Sequence, residues 1–549
     1  MTAHTTNPPS ARSRQLSAGQ QGMLLQAAAT GPVALNVPTA VRLTGALNVR
    51  ALKSALACIV QRHDVLRTTF PAFEPSSLTP DQLPAQLVHP AGTVPLPVVD
   101  LEPVPAAERQ AAARSIIETE AARPFDVASE HGFKVMLLRL GSDEHVLFWL
   151  MSHLVCDGWS KSVFARELSA FYTAHTTNAT ADVPKLAVDF GDYVTETRGR
   201  PRIATDLAYW REQLRGVADL PPLLTVEETG DPPGSAREIQ IPSIGVPHSQ
   251  VLALAHRTGS TEFIVLHAAF AAAIHTTLGQ QDLIINTPRG DRPTADFEDL
   301  IGFFVNVLPI RSLIDPTATL TALIRQVREE VIDALDHADA PIAEIAAQLA
   351  SDHAGRIGPL THLSFAYDNL PAADLTLHAV STAPWPIDRA DTRYPFELHL
   401  WPGNQTIAGR ATYRADQLTA TTAHRLIDQF QAVLAAVLSA PDTALNQLPS
   451  YVGHHIWQSA GRQTPAELTP TEQRLAAVWI ELLGTDGISA DSHFFNIGGS
   501  SLLAALLVAA IRETFAAQIN PRDLYQAPTL RALAALIDDH TAPATPVPR

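Results

Sequence analysis

The feature that most constrains the fold of this chain is a polar interruption near its carboxyl end. Over residues 446–470 the apolar periodicity of the preceding sequence disappears, which is typical of a linker between separately folded units. A single hydrophobic core rarely grows beyond about 250–300 residues, so a chain of 549 residues needs more than one core. The sequence therefore predicts a large first region and a small terminal domain.

The terminal domain begins with three concordant signals for a helix start. Thr469 suits an N-cap, Pro470 suits the first helical position, and Glu472 completes a capping box. Apolar residues then recur at helical spacing, and further apolar helices are predicted from Ser501 and over 530–537. The pattern predicts a small bundle of short helices.

The first region mixes strand and helix patterns, which favours α/β layers. The apolar run 145–151 (HVLFWLM) is too short for a typical helix and predicts a buried central strand that feeds a loop. Further strands are predicted at 283–286, before the turn-rich TPRGDRPT, and at 303–310, with a helix over 320–337. Two halves are expected to meet near residue 180, within the candidate linker 177–186.

These patterns set the expected boundaries. They are a disordered lead-in over 1–14, a first half over 15–180, a second half over 181–450, a linker over 451–468, the terminal domain over 469–540 and a tail over 541–549.

Charge and cysteine content exclude several classes of function. A formal net charge of −17 argues against nucleic acid or an anionic membrane as the main partner. The two cysteines, Cys58 and Cys156, form no metal-spaced pair, so neither a disulfide framework nor a metal site is expected. The chain shows no membrane-spanning apolar run and no secretory signal at its start, which favours the cytoplasm.

The segment 491–503 (DSHFFNIGGSSLL) carries the clearest chemical pattern in the terminal domain. Gly498 and Gly499 allow a tight turn directly before a helix, and a serine there presents its hydroxyl beside the positive end of the helix dipole. Taken alone, GGSS also fits a simple helix cap at Ser500 or Ser501. The whole segment closely resembles the phosphopantetheine attachment motif of acyl and peptidyl carrier domains. The resemblance implies a four-helix carrier bundle with 4′-phosphopantetheine on Ser501, attached by a phosphopantetheinyl transferase.

A second chemical pattern follows the predicted central strand, at 151–160 (MSHLVCDGWS). His153 lies just past the apolar run, where a partly buried imidazole can act near neutral pH. Asp157, four residues on and beside Gly158, can orient the loop through a charged hydrogen bond. An isolated HxxxDG is more often structural than catalytic, so the wider context decides.

That context resembles the condensation domains of nonribosomal peptide synthetases. The segment 151–160 is similar to their HHxxxDG active-site motif, with Ser152 in place of the first histidine. Other family signatures stand in the expected order over roughly residues 12–450: SAGQQGMLL (17–25), RHDVLRTTF (62–70), ARPFDVASEHGFKVMLLRL (122–140), DFGDY (189–193), TPRGDR (287–292), IGFFVNVLPIR (301–311) and YPFELHL (394–400). The resemblance implies two chloramphenicol-acetyltransferase-like halves in a V shape, with the histidine at their junction.

The resemblance also implies roles for individual residues. His153 would position the acceptor amine, or take its proton, as that amine attacks a donor thioester. Asp157 would be structural and paired with Arg292, although a solvated turn is an equally good interpretation of Arg292. The Gly158 N–H would help to bind the developing oxyanion.

The remaining motif positions carry less specific expectations. Arg62 and Arg67 would be structural charges, and His63 is more often a packed or surface residue than a catalytic one. Ser152 cannot serve as an imidazole base, but we expect a histidine there to be tolerated, since it is the commoner family residue.

Three functions remain open at this stage: amide formation, an ester-forming or other acyl-transfer variant, and a degenerate condensation fold that recruits other enzymes. The sequence shows no adenylation domain, so the resemblance implies loading by an adenylation enzyme in trans, together with a donor carrier protein. We expect a free-standing two-domain protein of secondary-metabolite biosynthesis.

Overall fold

The structure is a computed structural model that describes most of the first region and part of the terminal domain. The described residues are 11–30, 35–71, 85–217, 220, 231, 235–352, 360, 362–368, 375–387, 392–403, 405–448, 468–483, 488–490, 492, 494, 507–508, 510–512, 514–515, 517, 519, 524, 527 and 529–541.

Strands and helices alternate along the described chain. The strands are β1 (Arg12–Gln15), β2 (Asn36–Gly45), β3 (Thr68–Thr69), β4 (Ala85–Val88), β5 (Val98–Asp100), β6 (Phe133–Gly141), β7 (Glu144–Ser152), β8 (Ala236–Ile241), β9 (Asp282–Gly290), β10 (Val305–Leu313), β11 (Leu363–Tyr367), β12 (Val380–Pro384), β13 (Phe396–Pro402) and β14 (Ile407–Arg414). The helices are α1 (Ala18–Thr30), α2 (Val49–Arg62), α3 (Arg109–Ala122), α4 (Gly158–Thr177), α5 (Phe190–Arg198), α6 (Ile203–Gln213), α7 (His248–Thr258), α8 (Glu262–Leu278), α9 (Leu320–Asp336), α10 (Ile342–Asp352), α11 (Ala420–Ser439), α12 (Pro470–Leu483) and α13 (Leu530–Thr541).

A five-stranded sheet of order β12-β2-β7-β6-β5 forms the first half. Its central strand β7 is buried at every position after Glu144, which agrees with the strand predicted over 145–151. Strands β2 and β6 pair with it on either side in antiparallel register. Because β7 is central and apolar on both faces, its carboxyl end is fixed inside the domain. A smaller sheet, β1-β4-β3, lies in the same half.

A six-stranded sheet of order β10-β9-β11-β13-β14-β8 forms the second half. Strand β11 runs parallel to both neighbours, and the remaining pairs are antiparallel. Helix α8 is buried from Ile264 to Leu278, as expected for a helix that is apolar all round. Strand β9 continues to Gly290, opposite Val305, so part of the predicted turn TPRGDRPT is strand, since β10 supplies its hydrogen bonds.

The packing does not follow the expected division at residue 180. Strand β12 lies far along the chain but pairs with β2 of the first half, with Val380 opposite Gly45. Helix α5 also contributes Phe190 and Tyr193 to the core of the first half. Two segments beyond residue 180 therefore pack in the first half, which a single boundary along the sequence cannot represent.

The expected lead-in over 1–14 is too long. Residues 12–15 form strand β1, which pairs with β4, and Arg14 forms an ion pair with Asp189. Sheet pairing and this charged contact order a segment whose composition alone suggests disorder. Residues 1–10, most of the predicted linker and the tail beyond Thr541 lie outside the described residues.

In the terminal domain, the predicted helix start is confirmed. Thr469 Oγ1 accepts the Glu472 N–H at 3.2 Å, and Glu472 Oε2 accepts the Thr469 N–H at 2.7 Å. Helix α12 begins at Pro470 and packs against α13.

Among the described residues, no group of three or more His, Cys, Asp or Glu side chains could hold a metal ion. No single described helix is long and apolar enough to cross a membrane; α7 and α8 pass that test only as a pair, which is bent by 96°.

Candidate active site

A short loop between β7 and α4 carries His153 and Asp157. The loop backbone is held on both sides: the His153 N–H donates to the Leu35 carbonyl at 2.7 Å, and the Val155 N–H donates to the Ser152 carbonyl at 2.9 Å. Leu154, Val155 and Cys156 are fully buried, and burial raises the pKa of the Cys156 thiol. Since three consecutive side chains are packed in the core, the loop has little freedom.

The imidazole of His153 is half-buried and oriented by the loop itself. Its Nδ1 lies 3.2 Å from the carbonyl oxygen of Cys156. A carbonyl only accepts, so this contact selects the neutral tautomer with hydrogen on Nδ1 and the basic lone pair on Nε2. The ring of Phe303, from the second half, meets the imidazole edge-to-face at 6.1 Å between centroids.

Asp157 is the N-cap of α4 and is 2% exposed. Its Oδ1 accepts the Ser160 N–H at 2.7 Å, as N-cap carboxylates commonly do. Its Oδ2 accepts the Phe304 N–H at 3.2 Å. Asp157 thus joins the first turn of α4 to a backbone segment of the second half.

Arg292 supplies the positive charge opposite Asp157. Its Nη1 donates to Asp157 Oδ2 at 2.9 Å and its Nη2 lies 3.3 Å from Oδ1, which is the paired geometry of a guanidinium on a carboxylate. The Arg292 side chain is 7% exposed, and it also donates to the carbonyls of Phe297 and Leu300. Its guanidinium lies 4.1 Å above the ring of Phe304. This burial and these partners exclude a solvated turn.

Ser160 completes the connection between the halves. Its hydroxyl accepts the Gly302 N–H at 3.0 Å and lies 2.7 Å from Asp157 Oδ1 and 2.8 Å from the Gly302 carbonyl. The loop that carries His153 is therefore fixed to the second half by a buried charged pair and by a buried hydroxyl.

The order of these segments along the chain also matches a known family. The family model described as "Condensation domain" matches residues 11–451. The chain belongs to this condensation-domain family. A second model, described as "Phosphopantetheine attachment site", matches residues 473–537. The terminal domain is therefore a carrier domain, to which 4′-phosphopantetheine is attached covalently.

Curated relatives of the condensation domain are nonribosomal peptide synthetases. Nonribosomal peptide synthetase TES of Alternaria alternata is 31% identical over 419 residues, which are 75% of this chain and 8% of the synthetase. The beauvericin nonribosomal cyclodepsipeptide synthetase of Beauveria bassiana is 30% identical over 435 residues, 76% of this chain and 13% of that protein. The chain thus spans only a small part of these relatives.

Among solved structures, the X-domain from teicoplanin biosynthesis has a similar fold. The TM-score is 0.68 at 24% identity, over 81% of this chain and 98% of the X-domain.

Gly158, the first residue of α4, borders open space in the condensation domain. A Cβ built on Gly158 would have no heavy atom within 4 Å, and the residue is exposed. The first N–H groups of a helix have no partner within the helix, so this end favours a negatively charged oxygen.

Ser152 occupies a closed position at the end of β7. It is 0% exposed, its Oγ accepts the Leu154 N–H at 3.3 Å, and its backbone N–H donates to the Gly132 carbonyl at 2.8 Å. A Cβ built on Gly132 would lie 3.3 Å from the Ser152 Cβ and 2.9 Å from a methyl of Val155. Ser152 is thus enclosed beside Gly132 and Val155, so a histidine at this position would need its neighbours to move, and whether it is tolerated stays a prediction.

Arg62 and Arg67 hold structural contacts within the first half. Arg62 donates to Glu167 at 2.8 Å and to the Pro184 carbonyl. Arg67 donates to the His89 carbonyl, and burial lowers its pKa, opposed by the charge of Asp64. Both arginines thus bond to backbone carbonyls, and Arg62 also to a buried carboxylate; their role as structural charges stays a prediction.

Ser501 and the glycines before it lie outside the described residues, but Ser492 and Phe494 of the motif are described. Phe494 of the Phe-Phe pair is fully buried, and its ring meets that of Trp479 on α12 at 5.2 Å. Phe494 therefore belongs to the core of the carrier domain. A serine hydroxyl seven residues later suits a phosphodiester link, so the residues fit the group.

Sequence reasoning missed Ser160, Glu167 and Phe303 as parts of the site. Ser160 had a readable signal, because it stands three residues after an N-cap aspartate at a helix start. Phe303 lies in the signature segment 301–311, but that segment did not indicate a contact with His153. Glu167 had no signal, since a helical glutamate is common in any sequence.

Proposed function

We propose that this condensation–carrier protein forms an amide bond between a carrier-bound acyl or aminoacyl thioester and an amine acceptor. The single observation that carries the proposal is the Asp157–Arg292 pair, which holds the His153 loop against the second half at 2.9 Å. Removal of either partner from a buried, hydrogen-bonded charge pair is costly, so this pair supports the proposal that the position of the His153 loop matters for function.

The arm on Ser501, when attached, presents its cargo as a thioester or receives one from a donor carrier. The reaction makes a C–N bond and breaks a C–S bond, and the amine must lose a proton. His153 positions the amine and takes this proton at Nε2, since Nδ1 faces the Cys156 carbonyl. The departing sulfur then gains a proton, so the products are an amide and a free thiol.

Gly158 leaves room for the thioester carbonyl and supplies a backbone N–H donor. Negative charge grows on the carbonyl oxygen as the amine attacks, and an N–H at the start of α4 stabilises it. The open space beside this glycine supports the assignment, because a thioester carbonyl must come close to the backbone there.

An ester is the alternative product. The cyclodepsipeptide synthetase of Beauveria bassiana, at 30% identity, is named for a product class that contains esters. A hydroxyl acceptor loses its proton to the same imidazole, so the residues proposed for the amide reaction also serve the ester reaction.

A single-turnover assay tests the proposal. A phosphopantetheinyl transferase first loads Ser501 from a panel of aminoacyl and hydroxyacyl coenzyme A thioesters. Acyl pantetheine thioesters are then supplied as donors, and intact-protein mass spectrometry follows the acylated product. We expect product with amines, and a loss of about 10²–10⁴-fold in His153→Ala.

Two controls make the assay specific. His424→Ala changes an exposed helical histidine and should leave the rate unchanged. Ser501→Ala should abolish loading, and an adduct that persists on Ser500 would show that the attachment site is misassigned. A wild-type rate no higher than that of His153→Ala across the panel would contradict the enzyme and favour a recruitment platform. A product formed only with hydroxyacyl acceptors would favour the ester.

A further inference from the structure

The segment 301–304 (IGFF) of the second half forms the wall behind the catalytic imidazole. Gly302 bonds to Ser160, the Phe304 N–H bonds to Asp157, and the ring of Phe303 contacts His153. The other side of Phe303 is also confined, because a Cβ built on Gly19 would lie 2.8 Å from its ring. The position of this segment therefore decides how the His153 ring is packed.

The first residue of the segment is held by a histidine of the first half. The Ile301 N–H donates to His63 Nδ1 at 3.3 Å, across 238 positions of the chain. His63 is 3% exposed and lies directly after α2. Its other ring nitrogen, Nε2, lies 2.8 Å from Glu167 Oε2 on α4.

These two contacts assign the tautomer of His63. A backbone N–H only donates, so Nδ1 is the acceptor and the ring proton lies on Nε2, where it donates to the Glu167 carboxylate. The imidazole is therefore neutral and bonded at both nitrogens. A ring with the proton on Nδ1 would direct N–H against N–H and release Ile301.

The second carboxylate oxygen of Glu167 supports the same tautomer of His63. Glu167 is 1% exposed, and its Oε1 accepts from Arg62 Nε at 2.8 Å. Arg62 also donates to the Pro184 carbonyl. With both oxygens accepting from donors, the ionised carboxylate requires a donor at His63 Nε2 and so an acceptor at Nδ1. The charge of Arg62 is thus linked, through Glu167 and His63, to the backbone of Ile301.

We propose that His63 is a positioning residue that acts through segment 301–304 on the imidazole of His153. The role rests on the proposed function, in which His153 carries the proton transfer. It predicts an effect on the chemical step and little effect on acceptor binding, because His63 lies buried behind the wall.

Two substitutions of His63 test its hydrogen bonds to Ile301 and to Glu167 separately. The amide oxygen of asparagine can replace a histidine Nδ1, and the amide nitrogen of glutamine can replace Nε2. His63→Asn thus keeps an acceptor for Ile301, whereas His63→Gln keeps only the donor to Glu167. We expect His63→Gln to lower kcat about tenfold or more at unchanged acceptor KM, because small displacements of catalytic groups are costly, and His63→Asn to retain most of kcat.

NMR spectroscopy tests the positioning of His153 without an activity measurement. The imidazole carbon signal of His153, assigned by its loss in His153→Ala, reports the ring current of Phe303 in NMR spectra of histidine-labelled full-length protein. It should shift in His63→Gln and stay in place in His63→Asn. If the signal behaves this way but no variant or wild type is active, the proposed function fails and the positioning link stands.

A third variant covers the case in which His63→Gln does not fold. In Glu167→Gln, a single amide oxygen replaces the two carboxylate oxygens that face Arg62 and His63. If that oxygen accepts from Arg62, the amide nitrogen faces His63 Nε2 and favours the tautomer with hydrogen on Nδ1, while the imidazole itself is kept. We expect the same shift of the His153 signal and the same loss of kcat. Equal kcat and an unmoved His153 signal in folded His63→Gln or Glu167→Gln would overturn the proposal, as would equal losses in His63→Asn and His63→Gln.

Discussion

Asp157 and Arg292 lie 135 positions apart in the sequence, yet Arg292 Nη1 donates to Asp157 Oδ2 at 2.9 Å in the interior of the protein. The pair connects the N-cap of α4 with the residue that follows strand β9 by two positions. It therefore serves the stability of the condensation domain and the placement of the His153 loop at once.

Removal of one partner should be costly. Asp157→Ala leaves Arg292 buried beside an apolar methyl group, and such a change typically costs about 3–5 kcal/mol. We expect a lower melting temperature together with lower activity. The matched control is Glu329→Ala in the exposed pair with Arg328, which should cost less than about 1 kcal/mol. Unchanged stability with lost activity would instead assign Asp157 a direct chemical role.

Gly158 and Gly302 should respond in opposite ways to alanine. A Cβ at Gly158 meets nothing within 4 Å, whereas a Cβ at Gly302 would lie 2.5 Å from the Phe190 ring. Gly158→Ala should therefore fold normally and lose turnover, because its methyl group enters the space assigned to the thioester carbonyl. Gly302→Ala should be destabilised by about 1–3 kcal/mol through overpacking. Thermal melts with single-turnover rates measure both, and full activity in Gly158→Ala would remove this glycine from the site.

Ser152→His should be destabilising despite the family motif. The side chain is completely buried, and its Cβ would lie 3.3 Å from a Cβ built on Gly132, so a larger side chain requires its neighbours to move. We expect a loss of about 1–3 kcal/mol from overpacking, with Ser152→Ala as the milder control because it only removes the Ser152 hydroxyl. A melting temperature of Ser152→His at or above that of the wild type would show that the site can expand.

His267 should make the second half sensitive to acid. The residue is fully buried on α8, neither ring nitrogen has a hydrogen-bond partner among the described residues, and burial lowers its pKa to about 3. Because the folded pKa lies below the unfolded value of 6.5, the unfolded chain binds the extra proton between these values and stability falls as the pH drops below about 6.5.

From pH 7.5 to pH 5 this group should remove about 2 kcal/mol of stability. Urea titrations at both pH values compare the wild type with His267→Leu, which should lose less stability on acidification. His424→Leu, at an exposed helical position, is the control and should keep the full acid sensitivity. An identical acid response in His267→Leu and the wild type would contradict the assignment.

Local patterns predicted the elements that carry the site. The apolar run 145–151 indicated a central strand that ends at the histidine, and the structure has β7 ending at Ser152. The helix over 320–337 and the capping box at Thr469 were equally readable, because periodicity and capping depend on neighbours only a few residues away.

Long-range partners were not readable in the same way. Strand β12 joins the sheet of the first half through pairing with β2, and β1 is ordered by β4 and by Asp189. A strand pattern indicates that a segment needs a partner but does not identify that partner. The pairing of residues 12–15 with β4, and of β12 with β2, was therefore not predictable from the sequence.

By itself, the sequence determined a condensation domain with a carrier domain, the loop that bears His153 and the serine proposed for phosphopantetheine. Only the tertiary structure decided that Arg292 is buried against Asp157, that Ser152 is completely buried, and that His63 accepts the N–H of Ile301. The physical reason is that composition and periodicity report each residue's preference for burial or for a strand or helix. Which donor meets which acceptor is fixed only when distant segments pack together and most buried polar groups must find a partner.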